Sequence, residues 1–215
     1  MRTADLAVYL VTDPGMGLKR GLAETVRLSL EAGVRTVQLR DKEASTRKLL
    51  DDASTLLALC RKHGATFLVN DRVDVAMAAG ADGVHLGQDD MPADAARRLL
   101  GRDAVIGVSV RTEEEARRAA EDGADYMAAN LVYPTATKTD LPDPLGPEGI
   151  RELRSACGLP LVAIGGIDAG NAAEVIGAGA DGLAVVSAIM AAEEPASAAA
   201  RLLAAARKAL AGRDS

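Results

Sequence analysis

Three residues whose side chains bind anions or polar ligands alternate at the end of a short apolar run. They are Gln38, Arg40 and Lys42. Because successive side chains of an extended strand point to opposite faces, this spacing puts one amide and two cations on the same side. Arginine and lysine recognise phosphate groups through charge-assisted hydrogen bonds. The stretch is therefore a candidate binding site for a phosphorylated ligand.

Further polar residues follow other short apolar runs. Asp71 and Asp90 supply carboxylates, and Lys138 supplies a third cation. Two carboxylates beside phosphate-binding cations suit Mg²⁺, which keeps several waters and bridges phosphate oxygens. Each residue alone is as well explained by a surface ion pair, so the prediction depends on their meeting at one face. Asn70 and Ser109 end two of these runs and add polar groups that can orient a ligand.

A second anion position is predicted near the end of the chain. Gly165-Gly166 follows one apolar run, and Val186-Ser187 follows the next. Glycine lets backbone N–H groups approach a phosphate closely, although a tight turn explains the two glycines equally well. His85 is expected to be a buried structural histidine, and the sequence contains no recognisable arrangement for nucleophilic catalysis. Catalysis is therefore expected to depend on positioning and electrostatic stabilisation.

These residues can meet only if the chain brings the ends of its apolar runs together, and a recurring phrase indicates how. A helical pattern, a glycine and a short apolar run recur along the chain. The copies contain Ala32-Gly33-Val34, Gly80-Ala81-Asp82-Gly83, Gly123-Ala124-Asp125 and Gly179-Ala180-Asp181-Gly182. With the opening Val8–Val11 and three further junctions there are eight apolar runs, each followed by a segment of helical length.

The eight repeated units predict the fold. Continuous apolar strands are those that helices cover on both faces. We therefore predict an α/β protein, a single (β/α)8 TIM barrel spanning residues 1–215, with its functional residues on the loops after the strands. A doubly wound open sheet is the alternative. The helices are predicted to begin near Lys19, Ser45, Arg72, Pro92, Thr112, Pro147, Asp168 and Pro195.

Composition excludes several classes of protein. The 215 residues are 48% hydrophobic and 26% charged, as expected of one globular domain. A net charge of -6 and 2% aromatic residues argue against nucleic-acid binding. Cys60 and Cys157 lie far apart and predict neither a disulfide framework nor a zinc site. The apolar run Leu6–Val11 is too short for a signal peptide or a membrane span, so we expect a cytoplasmic protein.

Several of these segments together resemble the thiamine-phosphate synthase/thiazole tautomerase family. The resemblance is carried by Tyr9–Asp13, Val37–Lys42, Val69–Arg72, Gly80–Gln88, Gly107–Ser109, Pro134–Lys138 and Ala163–Ile167. It runs over nearly the whole chain. It implies a TIM barrel that joins 4-amino-2-methyl-5-(diphosphooxymethyl)pyrimidine to a thiazole phosphate, releasing diphosphate and thiamine phosphate with the help of Mg²⁺. A homodimer is expected on the same ground.

The resemblance also implies roles for individual residues. The residues implied to contact the pyrimidine diphosphate are Gln38, Arg40, Lys42, Asn70, Ser109 and Lys138. Asp71 and Asp90 would hold the metal. Thr135 and Thr137 would lie on the thiazole phosphate side, where Gly166, Val186 and Ser187 would bind the phosphate. Lys138 and Arg40 would stabilise the leaving diphosphate, and no general base would be needed.

One departure from the family pattern bears on the alternatives. The family usually has Gly-x-Gly-Pro where this chain has Ala128-Ala129-Asn130-Leu131, and the added Cβ atoms are expected to narrow the cavity. The thiazole tautomerases place a catalytic histidine near the position of Leu131, and this chain lacks it. A tautomerase-like isomerase and a barrel that binds phosphorylated ligands without turnover remain the alternatives to the synthase.

Overall fold

Eight parallel strands pair in chain order and close into a barrel. The computed structural model describes residues 6–16, 20–134 and 143–213. The strands are β1 (Val8–Val11), β2 (Thr36–Leu39), β3 (Thr66–Asn70), β4 (Gly83–Leu86), β5 (Val105–Val110), β6 (Tyr126–Asn130), β7 (Leu161–Ile164) and β8 (Gly182–Val185). Pairing of Val8 with Leu183 and of Leu10 with Val185 joins β1 to β8. The predicted TIM barrel is confirmed, and the open doubly wound sheet is excluded.

Helices cover the outside of the barrel. They are α1 (Leu22–Glu31), α2 (Thr46–Lys62), α3 (Val73–Ala79), α4 (Ala93–Leu100), α5 (Glu113–Glu121), α6 (Gly146–Ala156), α7 (Ala172–Gly177), α8 (Ser187–Met190) and α9 (Pro195–Arg213). Within the described ranges, no helix has the length and apolar character needed to cross a membrane.

Most helix starts agree with the sequence prediction. Ser45 and Thr112 are the N-caps of α2 and α5, and α9 begins at Pro195. At α5 the Glu115 N–H donates to Thr112 Oγ1 over 3.2 Å, and the Glu115 carboxylate accepts the Thr112 N–H over 3.2 Å, completing a capping box. Two details differ. Helix α7 begins at Ala172 instead of near Asp168, and the four-residue α8 after β8 was not predicted.

The strands carry apolar side chains on both faces because each face packs against a different core. Val8 and Leu10 of β1 belong to the large cluster between the sheet and the helices. Tyr9 and Val11 belong to a second cluster that fills the barrel interior. This alternation explains why the strands appear in the sequence as continuous apolar runs. Polar side chains are then left to the ends of the strands.

The aspartates of the recurring phrase fasten neighbouring strands at the amino ends of the barrel. The N–H groups of Asp82, Asp125 and Asp181 each donate to a carbonyl of the preceding strand, over 2.6–2.9 Å. Their carboxylates accept an N–H from that same strand residue, over 2.7–2.8 Å. Each aspartate thus pairs two strands at the face opposite the functional loops.

Asp181 has the most extensive set of partners in this group. It is 7% exposed, and its carboxylate lies 2.8 Å from Arg154 of α6 and 2.8 Å from Arg213 of α9. Asp181→Asn retains an oxygen that can accept the Leu161 N–H but removes the negative charge that both arginines contact. We expect a loss of about 2–3 kcal/mol in the free energy of unfolding, measured by urea denaturation.

Asp82→Asn is the matched control for this variant. Asp82 is exposed and accepts the equivalent strand N–H from Phe67, so its replacement should cost under about 1 kcal/mol. Equal losses in the two variants would contradict the importance of the two ion pairs.

Candidate active site

A charged cavity opens at the carboxyl ends of the strands. The predicted site residues that line it are Arg40, Lys42, Asn70, Asp71, Asp90 and Ser109. They come from segments far apart in sequence, at the ends of β2, β3, β4 and β5 and in the loops that follow them. The structure therefore brings together the cations, the carboxylates and two polar side chains that were predicted from separate segments.

A deeper cavity continues from the charged one into the barrel, and the two have lining residues in common. Both cavities share Arg40, Asn70 and Ser109 among their lining residues. The residues that line only the deeper cavity are Tyr9, Val11, Gln38, Ala128, Ile164, Ala184 and Val186. The combined site has an apolar floor with a few polar groups and a charged mouth, which suits a flat ring that carries a phosphate group.

The carboxyl groups of Asp71 and Asp90 influence each other at the mouth. Burial and the neighbouring Asp90 raise the pKa of the Asp71 carboxyl, and Lys42 partly offsets this increase. The Lys42 Nζ lies 3.5 Å from Asp71 Oδ2. The Asp90 carboxylate also accepts the Gly87 N–H over 2.7 Å, which fixes its direction. Ionising Asp71 beside Asp90 thus costs free energy, which a cation bound by both side chains would offset.

Asp71 occupies a tight turn that orients its side chain. Its φ is 60°, in the left-handed region, where aspartate is tolerated better than most residues. The Arg72 N–H donates to the Asn70 carbonyl across this turn over 2.7 Å, and the Asp71 N–H donates to the His85 carbonyl over 2.9 Å. Unusual backbone conformations of this kind are concentrated at functional sites.

The donor set fits Mg²⁺. Two carboxylates whose joint ionisation is opposed can share a divalent cation, and Mg²⁺ is usually bound by one or two carboxylates plus water and phosphate oxygens. Among residues 6–16, 20–134 and 143–213, no group of three or more His, Cys, Asp or Glu side chains is arranged to hold a metal ion. The described residues thus supply two carboxylates, and a metal bound there would need further ligands such as water or phosphate oxygens.

Contacts with the end of β1 position Arg40 at the mouth. The Arg40 N–H donates to Thr12 Oγ1 over 2.9 Å, and the Thr12 hydroxyl donates to the Arg40 carbonyl over 3.3 Å. The Arg40 Nη1 lies 3.9 Å from Asp13 Oδ2. These contacts orient the Arg40 guanidinium, with its several N–H donors, toward the region where the two cavities meet.

A chain of hydrogen bonds crosses the barrel beneath the mouth. The Gln38 Nε2 donates to the Tyr9 hydroxyl over 2.5 Å, and the Tyr9 hydroxyl lies 3.0 Å from that of Tyr126. His85 Nδ1 lies 2.8 Å from the Tyr126 hydroxyl, and His85 Nε2 lies 2.9 Å from Ser109 Oγ. Burial raises the pKa of both tyrosines, so their hydroxyls remain protonated and the chain stays connected.

The hydrogen-bonded chain holds His85 by both ring nitrogens, in keeping with the structural role expected from the sequence. It also includes two residues that sequence reasoning missed. The sequence assigned no site role to Tyr9 or Tyr126, although both lie within predicted strands. The Tyr126 ring lies so close to Gly107 that a Cβ at position 107 would come within 2.0 Å of it. Glycine on β5 is thus required to admit this ring.

Two further residues of the mouth were also missed. Arg111 and Asn130 line the charged cavity. Arg111 lies two residues after Ser109, so strand alternation could have put it on the same face. Asn130 ends β6 as Asn70 ends β3. A consistent search of every strand end for polar side chains would have found both.

The structure supports the predicted second anion-binding site only in part. Val186 lines the deeper cavity, and Ser187 and Gly166 are exposed beyond β8 and β7. Gly166 has a φ of 63°, and a Cβ there would come within 2.7 Å of the Pro134 carbonyl oxygen. Close packing against the end of β6 is therefore sufficient to require this glycine. Thr135, Thr137 and Lys138 lie outside the described residues.

Comparison with known proteins agrees with this architecture. The sequence model for thiamine monophosphate synthase matches residues 8–189. The chain belongs to the thiamine monophosphate synthase family. It is 51% identical over 202 residues to the thiamine-phosphate synthase of Albidiferax ferrireducens, covering 94% of this chain and 92% of that protein. The thiamine-phosphate synthase of Moorella thermoacetica is 48% identical over 198 residues, covering 92% and 93% of the two chains.

A solved structure from the family has the same fold. The thiamine phosphate pyrophosphorylase from Pyrococcus furiosus aligns with a TM-score of 0.87 and 40% sequence identity, over 97% of this chain and 98% of that one. The resemblance inferred from the sequence segments is thereby confirmed at the level of the family and the fold.

Asp71→Asn tests whether burial and the neighbouring Asp90 make the charged form of Asp71 unfavourable. Because the pKa of Asp71 is raised in the folded protein, its charged form opposes folding at neutral pH. We expect the metal-free variant to gain about 1 kcal/mol in stability at pH 7, seen as a rise of roughly 2–4 °C in Tm. The gain should shrink as the pH falls toward about 3.9, where aspartate becomes protonated in the unfolded chain as well.

Asp74→Asn is the control with the opposite sign. The hydrogen-bonded Arg72 lowers the pKa of Asp74, so the charged form of this carboxyl favours folding and its removal should lower Tm at pH 7. A loss of stability in both variants would contradict the repulsion assigned to Asp71 and Asp90.

Proposed function

We propose that this chain is a magnesium-dependent transferase that joins 4-amino-2-methyl-5-(diphosphooxymethyl)pyrimidine to a thiazole phosphate and releases diphosphate. Membership of the thiamine monophosphate synthase family supports the reaction. The observation that carries the proposal for this chain is the mouth itself, where Arg40 and Lys42 lie beside the Asp71 and Asp90 carboxylates above a deeper, mostly apolar cavity.

The pyrimidine diphosphate is bound across the two cavities. Its ring occupies the deeper cavity beside Gln38, whose amide is oriented by the Tyr9 hydroxyl. Its diphosphate extends to the mouth, where Arg40 and Lys42 supply positive charge and Asn70 and Ser109 supply hydrogen bonds. The local charge at this opening favours the diphosphate although the whole chain carries a net charge of -6.

Asp71 and Asp90 would hold the metal. Bound Mg²⁺ would neutralise charge that develops on the departing diphosphate. Lys42, which lies 3.5 Å from Asp71, also stabilises the departing diphosphate and limits the repulsion between the two carboxylates. Lys138, outside the described residues, is assigned by family resemblance to the same task of stabilising the leaving group.

The reaction needs no proton transfer at the reacting atoms. The bond between the pyrimidine methylene carbon and the diphosphate oxygen breaks, and its electron pair leaves with the diphosphate. The thiazole nitrogen then donates its lone pair to the methylene carbon and forms the new C–N bond. The chain's residues therefore act by holding the two substrates in line and stabilising the leaving group.

The thiazole phosphate approaches from the side of β7 and β8. Val186, with Ile164 and Ala184, supplies an apolar wall on that side of the deeper cavity. Gly166 and Ser187 lie beyond these strands and bind the phosphate through backbone groups. Thr135 and Thr137, outside the described residues, are assigned to this substrate by resemblance alone.

The activity is tested by incubating the purified protein with both phosphorylated substrates and Mg²⁺. Thiamine phosphate and diphosphate should form in equal amounts, and EDTA should abolish turnover because Asp71 and Asp90 then lack the cation between them. Binding of both substrates without product would contradict the synthase function. Full turnover after metal removal would contradict the metal role.

Lys138→Ala tests the assignment of this residue to the leaving group. We expect kcat at saturating substrate to fall by roughly 10²- to 10³-fold, as when one stabilising donor is removed from an active site. Lys208→Ala, at an exposed position of α9, is the control and should retain wild-type turnover. An unchanged kcat in Lys138→Ala would remove this lysine from the mechanism.

A further inference from the structure

Arg111 joins the two ends of the connection between β6 and α6. Its guanidinium lines the charged cavity at the end of β5. Nη1 donates to the Asn130 carbonyl over 2.6 Å, and Nη2 donates to the Asp143 carbonyl over 2.7 Å. Asn130 is the last residue of β6, and Asp143 lies just before α6. The Arg111 side chain thus links the end of β6 to the segment just before α6.

Backbone hydrogen bonds extend the same pairing between the two ends. The Leu145 N–H donates to the Leu131 carbonyl over 2.8 Å, and the Gly146 N–H donates to the Val132 carbonyl over 3.0 Å. Arg111 supplies the neighbouring link in this series through its side chain. Two backbone hydrogen bonds and the Arg111 guanidinium therefore hold the two ends of the connection together, and the guanidinium supplies the link nearest β6.

The geometry of this link requires arginine. Two different nitrogens of the planar guanidinium each donate to a different carbonyl, which is the forked geometry that a lysine ammonium does not reproduce. In the sequence, Thr135, Thr137 and Lys138 all lie between the two linked carbonyls.

We propose that Arg111 is a positioning residue for the transfer reaction, because it ties the Asn130 carbonyl to the Asp143 carbonyl and so fixes both ends of the segment that contains Lys138. The kinetic part of this inference rests on the proposed function. The guanidinium also adds positive charge to the cavity that contains Arg40 and Lys42. The effect of the charge and the effect of the link can be separated by substitution.

Arg111→Lys keeps the charge and loses the fork, whereas Arg111→Met loses both. If the link is what matters, kcat falls by about 10- to 100-fold in both variants, since small misplacements of catalytic groups have costs of this order. The KM for the pyrimidine diphosphate then rises only in Arg111→Met, where the charge is lost. A wild-type kcat in Arg111→Lys would overturn the proposal.

Arg97→Lys is the matched control at the opposite end of the barrel. Arg97 also donates to several backbone carbonyls, including those of Ala104 and Gly123, but lies away from the mouth. It should lower stability while leaving kcat and KM unchanged. An equal fall in kcat in this control would mean that the effect at Arg111 is a general loss of structure, which would also overturn the proposal.

Hydrogen exchange tests the link without any activity measurement. The Leu145 and Gly146 amides should exchange faster in Arg111→Lys than in wild type and at the wild-type rate in Arg97→Lys. Unchanged exchange in Arg111→Lys would disprove the link. A wild-type protein that forms no thiamine phosphate would instead refute the proposed function, and the exchange result would still decide whether Arg111 holds the two ends.

Discussion

Pairing of β1 with β8 closes the barrel and is the constraint on which the site depends. Closure turns the carboxyl ends of all eight parallel strands toward one opening. Side chains from separate segments, such as Arg40 and Asp90, can then line one cavity. The aspartates at the opposite end support this closure, because each fastens two adjacent strands with a pair of hydrogen bonds. Stability and function are thus separated at the two ends of the same strands.

The mouth of the cavity holds several cations and two neighbouring carboxylates close together. Burial and the neighbouring Asp90 make the charged form of Asp71 costly, and the cations Arg40, Lys42 and Arg111 line the same cavity. Under the proposed function, a phosphorylated ligand with a divalent cation would balance both sets of charges, because the phosphate would contact the cations and the metal would contact the carboxylates. Beneath this opening, the buried hydrogen bonds from Gln38 to Ser109 give the deeper cavity a fixed polar pattern. The fold therefore fixes the polar groups of the site in place without a ligand.

Much of this arrangement could be predicted because a parallel barrel follows local rules. Glycine before seven of the eight apolar runs marked the strands, and alternation correctly grouped Arg40 with Lys42 at the mouth. The hydrogen-bonded chain through Tyr9 and Tyr126 could not be predicted, since it depends on how residues more than a hundred positions apart meet inside the barrel. Likewise, nothing local in the sequence indicates that Arg111 reaches the Asp143 carbonyl.

The central claim is that Asp71 and Asp90 jointly hold the divalent cation that accompanies a diphosphate. The most direct measurement is a crystal structure of the protein with Mn²⁺ and inorganic diphosphate, with the metal located by its anomalous scattering. The account predicts one peak within about 2.2 Å of an oxygen from each carboxylate and from the diphosphate, which lies against Arg40 and Lys42. A metal bound away from this pair, or a diphosphate bound with only water between it and the two aspartates, would contradict it.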